Sequence, residues 1–141
     1  MSRKDSEIEI ADLEIRLYTV YSETLEEIYA EAVEASKELK EFRNLNTTSV
    51  IVLQKDRNIY DRKDDRLTNL IAKEQRCWRK YHERANFIKH MRPILHALPE
   101  EDYELLRIHY FQKYPLRKIG ELYNYSHMQI SRKIDSILRK L

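Results

Sequence analysis

Residues 115–141, PLRKIGELYNYSHMQISRKIDSILRKL, contain the only glycine of the 141-residue chain. Gly120 lies four residues before Asn124 and ten before Ile130. That spacing reads as two short helices joined by a tight turn. The first helix needs a minimal side chain where the second crosses it, and glycine meets that need. The turn needs a residue that tolerates a left-handed backbone, and asparagine is the best non-glycine residue for it. Ser126 is a suitable N-cap for the second helix. Ile119, Tyr123, Tyr125, Ile130 and Ile134 supply apolar positions around the turn. Together these residues predict a helix-turn-helix, with the second helix over 126–141.

Working outward, LPEED at 98–102 is a helix start, with proline in the first turn and acids near the positive helix end. Tyr103, Leu106, Tyr110 and Phe111 form its expected buried side, and QKYP at 112–115 breaks the chain before Leu116. Residues 98–141 are therefore expected to be a domain of three short helices. Residues 1–97 read as a separate helical arm. From Leu13, apolar or small residues recur at 17, 21, 25, 28, 32, 35, 39 and 42, close to the helical period. Turn chemistry at Asn44–Thr48 predicts the end of that helix; the next stretch, SVIVLQ, suits either a short extended piece or the start of the following helix. A second long helix is expected from about Asp56 to Leu98. Its seam runs Leu67, Ile71, Trp78, Tyr81, Ala85, Ile88 and Leu95, with Glu74 and Arg92 at the polar heptad positions. Pro93 is expected to kink this helix or mark its end. The fold class is all-α: a long helical hairpin or coiled-coil arm followed by the helix-turn-helix domain. Whether the long helices pair within one chain or between two is open at this level, and a homodimer is the expectation.

Composition agrees. One glycine, three prolines and 35 % charged residues leave long stretches without breakers. No apolar run is long enough for a membrane span, and the opening MSRKDSEIEIADLE lacks the apolar stretch of a secretory signal. With Cys77 alone, no disulfide framework is possible, and a cytoplasmic setting is expected. The net charge of +2 conceals an asymmetry. Residues 1–42 hold twelve acidic and five basic side chains, whereas 43–98 hold six acidic and thirteen basic. The two arms could pair, or each could be a solvated face.

The 126–141 helix carries Arg132, Lys133, Arg139 and Lys140 against one acid, Asp135. This charge favours duplex DNA as the partner, with the helix in the major groove and its first residues at base edges. Ser126, His127, Met128, Ser131, Arg132 and Asp135 are expected on the outward face. Arg132 suits guanine, and Met128 a thymine methyl. Gln129, beside the inward anchor, is assigned to a phosphate. Arg117, Lys118, Lys133, Arg139 and Lys140 are assigned to phosphates as well. A purely structural helix pair is the competing reading.

The segment LPEEDYELLRIHYFQKYPLRKIGELYNYSHMQISRKIDSILRKL, 98–141, resembles the fourth conserved region of bacterial sigma factors. The leucine-proline start, the aromatic residues late in the first helix, and the closing basic residues and leucine carry the likeness. The whole chain is similar in arrangement to small phage late-gene transcriptional activators of the RinA and ArpU type. That resemblance implies a promoter-proximal DNA site and RNA polymerase as a second partner, in a bacterial host. A small-terminase-like packaging protein and a helical adaptor for RNA polymerase are the alternatives. No catalytic residue, metal site or cofactor is expected: the five histidines and Cys77 lack metal-ligand spacing, and one glycine cannot build a phosphate loop.

Overall fold

The computed structural model describes residues 3–53 and 57–141, and the surroundings of side chains at 6–45 and 64–141. None of the described residues forms a strand. The order is α1 (Arg3–Leu53), α2 (Arg57–His96), α3 (Glu100–Leu106), α4 (Leu116–Tyr123) and α5 (His127–Lys140). The chain divides into two compact units, one made of Met1–Glu23 with Asn86–Leu141 and the other of Thr24–Ala85. No described helix is long and apolar enough to cross a membrane.

Helix α1 corrects the expected turn at 44–48, because it continues through that segment to Leu53. Asn and Thr are weak helix formers, but the stretch holds neither glycine nor proline, so nothing forces a stop. Residues 49–53 of SVIVLQ accordingly end α1 and form neither an extended piece nor the start of α2. Gln54 and the expected α2 start at Asp56 lie outside the described residues.

In the 24–85 unit the two long helices face one another within a single chain. Ile28, Ala32, Ala35 and Leu39 are buried, as the periodicity predicts, and α2 contributes buried Leu70. Trp78 lies edge-on to Tyr29, with centroids 5.8 Å apart, and donates its indole N–H to Ser36 Oγ at 2.8 Å. Lys73 Nζ lies 3.1 Å from Glu38, a contact between the basic and acidic arms. Arg76, Arg79 and Lys80 are exposed.

In the other unit the start of α1, through Glu23, packs beside the C-terminal helices. Ala11, Ile15 and Tyr18 are the buried apolar residues of this α1 segment, whereas Leu13, placed on the expected seam, is 57 % exposed. Buried Thr19 donates its hydroxyl to the Ile15 carbonyl at 2.9 Å, which satisfies it without leaving the helix. On α2 the buried series is Ile88, Met91 and Leu95; Met91 is 1 % exposed, and the heptad position Arg92 points to solvent. A hydrophobic side chain one residue earlier takes the place because charge burial is costly. Pro93 sits inside α2 and ends it one turn later, with the Ala97 N–H donating to the Pro93 carbonyl at 3.0 Å.

Pro99 stands at the cap of α3 in extended conformation, one position before the expected first turn. The acids Glu100, Glu101 and Asp102 fill that first turn and favour the helix dipole. After Leu106 the helix widens into a π-helical turn, Arg107–Phe111, closed by the Gln112 N–H on the Arg107 carbonyl at 3.1 Å. Within it, Tyr110 and Phe111 both reach α1. Tyr110 donates its hydroxyl to Asp12, and the Phe111 ring meets Tyr18 edge-on at 5.8 Å. Arg16 donates to Asp12 at 2.9 Å and lies over the Tyr110 ring, so the carboxylate is held from two sides. Burial, and then the bond to Asp12, raises the Tyr110 hydroxyl pKa above its ordinary value.

Candidate nucleic-acid interface

The chain leaves the π-helical turn through Lys113, which takes a left-handed φ of 59°. His109 Nδ1 donates to the Tyr114 carbonyl at 3.1 Å and fastens this corner. Pro115, extended, caps α4 at the position where a missing N–H does least harm. Ile119 is completely buried.

Asn124 ends α4 in the left-handed conformation, φ 59° and ψ 39°, as its side chain allows. The Tyr125 N–H then donates to the Gly120 carbonyl at 2.9 Å. This bond draws the turn over Gly120 so closely that a Cβ there would come within 3.0 Å of the Tyr125 carbonyl oxygen. The need for glycine thus arises from the turn backbone at Tyr125 and Ser126, where the sequence reading placed it at the crossing of the second helix.

Ser126 opens α5 with a reciprocal cap. The Gln129 N–H donates to Ser126 Oγ at 3.2 Å, and the Ser126 N–H donates to Gln129 Oε1 at 2.8 Å. Ile130, Ile134, Ile137 and Leu138 are all buried and fix the rotation of α5. At 100° per residue, Met128, Arg132 and Arg139 lie opposite them, and all three are exposed. Ser136 is exposed on the same side and is not among the residues assigned there from the sequence.

His127, Gln129 and Ser126 are exposed at the start of α5, although the Gln129 oxygen is occupied by the cap. Lys133 is exposed with its ammonium 4.0 Å from the centre of the Tyr125 ring, and Lys118 similarly lies 4.2 Å over Tyr114. Cation–π contact of this kind orders a long side chain without removing its charge. Arg117 is exposed on α4. Lys140 reaches back to Asp102, 3.1 Å away. Ser131 and Asp135, expected on the outward face, are instead half-buried in a cleft of about 240 Å³ that also contains Ile8, Glu9 and Asp12. The other flank of α5 borders a groove of about 680 Å³ whose α3 wall holds Glu100, Glu101, Asp102 and Glu104. Glu104 is bound by Arg107, whose hydrogen bond holds its carboxyl below the usual range.

Residues 94–141 match the family model described as Sigma-70, region 4. The module is a sigma-region-4-like helix-turn-helix. That match supports a DNA-binding, transcription-related role for the sigma-like module. Neither curated proteins nor solved structures give a match to the chain. In the sigma-like module, α4 and the turn hold α5 so that its apolar stripe is buried and a stripe led by Met128 and Arg132 is presented outward.

Proposed function

We propose that the chain is a sequence-specific DNA-binding transcription regulator, an activator of the small phage late-gene kind that works at a promoter with RNA polymerase in the bacterial cytoplasm. The observation that carries this reading is the coincidence of the sigma-region-4 match with an exposed Arg132 on the outward face of α5. In this reading residues 98–141 recognise DNA and residues 1–97 serve as the arm. Arg132 reads a guanine edge with its two parallel N–H donors, and Met128, one turn earlier on the same stripe, meets a neighbouring thymine methyl. Arg117, Lys118, Lys133 and Arg139 neutralise phosphates and set the register. Ser126, His127 and Gln129 border the groove at the start of α5; the Ser131 hydroxyl is the most recessed member of the set.

One such unit spans few base pairs, so the reading includes a homodimer paired through the 24–85 hairpin, where Tyr29 and Val33 expose apolar surface. Selection from random duplex DNA should enrich one site, a repeat or palindrome for a dimer. On that site Arg132→Ala should lower affinity by roughly tenfold or more and relax preference at one base pair, since a good bidentate pair discriminates by about 1–3 kcal/mol. Lys133→Ala should weaken binding to all duplexes alike and reduce the salt slope by about 1. Absence of an enriched sequence, or equal affinity of the parent and Arg132→Ala proteins, would refute the reading.

A further inference from the structure

Helix α1 carries a second apolar face within its first 23 residues. The face that packs in its unit is Ala11, Ile15 and Tyr18. At 100° per residue, Ile10, Leu13, Leu17 and Val20 fall on the opposite side of the helix, in steps of three, four and three. Ile10 and Leu13 are each 57 % exposed and Val20 is 51 % exposed. Scattered exposed hydrophobic residues are ordinary. A stripe in heptad register is different, because this one lies on a helix whose other face is already packed. It has the spacing by which one helix accepts another.

The edges of the stripe decide what kind of helix fits. Glu7 and Glu14 border it on one side, and Glu9, Arg16 and Glu23 on the other. The charge of Arg16 is matched by Asp12, 2.9 Å away, so the two edges present four carboxylates to an incoming partner. A second copy would bring the same carboxylates. Parallel pairing sets the Glu9 edge against the Glu14 edge, and antiparallel pairing sets each edge against itself. Like charges at these flanking positions are how paired helices reject a wrong partner.

We infer that this stripe is a docking seam for a helix of another protein, one with apolar residues in three-four spacing and Lys or Arg along both edges. The apolar stripe supplies affinity, and the carboxylate edges select basic helices and exclude self-pairing. The inference stands apart from the DNA reading, since it uses no residue of α4 or α5.

The test uses the full chain and two labelled three-heptad peptides. Both carry Leu at the a and d positions; one has Lys at e and g, the other Glu. In fluorescence anisotropy the Lys peptide should bind saturably and weaken with salt, and the Glu peptide should bind at least about tenfold more weakly. Leu13→Glu should lower Lys-peptide affinity by about tenfold or more, as expected for losing one buried leucine contact. The exposed position should leave the far-UV circular dichroism unchanged. Leu13→Ala, a milder change, should move affinity in the same direction. Glu9→Lys combined with Glu14→Lys leaves two carboxylates against two ammonium groups on the edges and should abolish the preference between the peptides. Equal binding of both peptides, no saturable binding, or Leu13 variants that bind like the parent would overturn the inference. So would a dimer in light scattering that Leu13→Glu dissolves, because the occupant would then be a second copy.

Discussion

Gly120→Ala is the sharpest perturbation, because two opposing effects of known size meet at one atom. Within a helix, replacing glycine by alanine normally stabilises by about 1 kcal/mol. Here the new methyl comes within 3.0 Å of the Tyr125 carbonyl oxygen, and it also sits 3.4 Å from the Tyr125 carbonyl carbon and 3.5 Å from that of Ser126. The atoms it meets are backbone, so no side chain can swing aside. The turn must retreat by several tenths of an ångström, yet it is anchored at both ends: by Asn124 in its left-handed conformation and by the Ser126–Gln129 cap. Retreat stretches the 2.9 Å bond from Tyr125 N–H to the Gly120 carbonyl, worth about 1 kcal/mol. Overpacking of a fixed site adds about 1–3 kcal/mol. After subtracting the propensity gain, the expected net destabilisation is about 1–3 kcal/mol. Urea denaturation followed by circular dichroism measures it, and Asn124→Gly in the same background should recover part of the loss by freeing the turn. An alanine variant as stable as the parent, or more stable, would refute the steric argument.

Four further outcomes follow from single contacts. Met91→Ala should destabilise by about 2–5 kcal/mol, whereas Arg92→Ala should stay within about 0.5 kcal/mol; equal effects in urea denaturation would contradict the observed rotation of α2. Ser126→Ala should lose about 1 kcal/mol by removing the acceptor for the Gln129 N–H, and a thermal melt unchanged from the parent would count against the cap. Asn124→Ala should likewise destabilise by about 1 kcal/mol, since alanine gains nothing from a left-handed backbone; denaturation showing no loss would remove the reason given for asparagine there. Tyr110 has its folded pKa raised above the ordinary 10.0, so its contribution is complete below that pH and fades as pH rises beyond it. The stability advantage of the parent over Tyr110→Phe should therefore be about 1 kcal/mol near neutrality and should shrink in alkaline urea titrations. A pH-independent difference would argue against the Tyr110–Asp12 bond.

What was legible in the sequence follows from how local each cause is. Gly120, Asn124 and Ser126 act within six residues of one another, so the turn and both flanking helices could be read directly. The 28–39 seam was legible because Ile28, Ala32, Ala35 and Leu39 keep unbroken helical spacing, even with Tyr29 and Val33 beside it. Between 10 and 21 the chain carries two stripes, and periodicity alone does not say which one meets the core; it favoured Leu13 over Ala11 and Ile15. On α2 a strict heptad template selected Arg92, where the observed series steps back to Met91. The partial burial of Ser131 and Asp135 was illegible for a different reason. It depends on α1 returning to the module, through contacts such as Tyr110 to Asp12 that are 98 residues apart.

That returning segment narrows what α5 can do. One flank of the helix holds Ser131 and Asp135 in the cleft with Glu9 and Asp12, where added phosphate charge would meet carboxylates. The other flank faces the acidic wall of α3, and there Lys140 is committed to Asp102 and Lys133 rests on Tyr125. Under the DNA reading, the acidic surfaces on both sides favour approach along the stripe through Met128, Arg132, Ser136 and Arg139, with the exposed charge of Lys133 at its border. A duplex entering along that line would place Arg132 at its centre and Arg139 about two helical turns beyond. Under the DNA reading, base discrimination therefore concentrates in Arg132 and Met128, and Asp135→Asn should raise affinity for all duplexes alike at low salt by lessening repulsion on one flank. If filter binding showed that substitution altering sequence preference instead, Asp135 would be touching bases and the flank would be open.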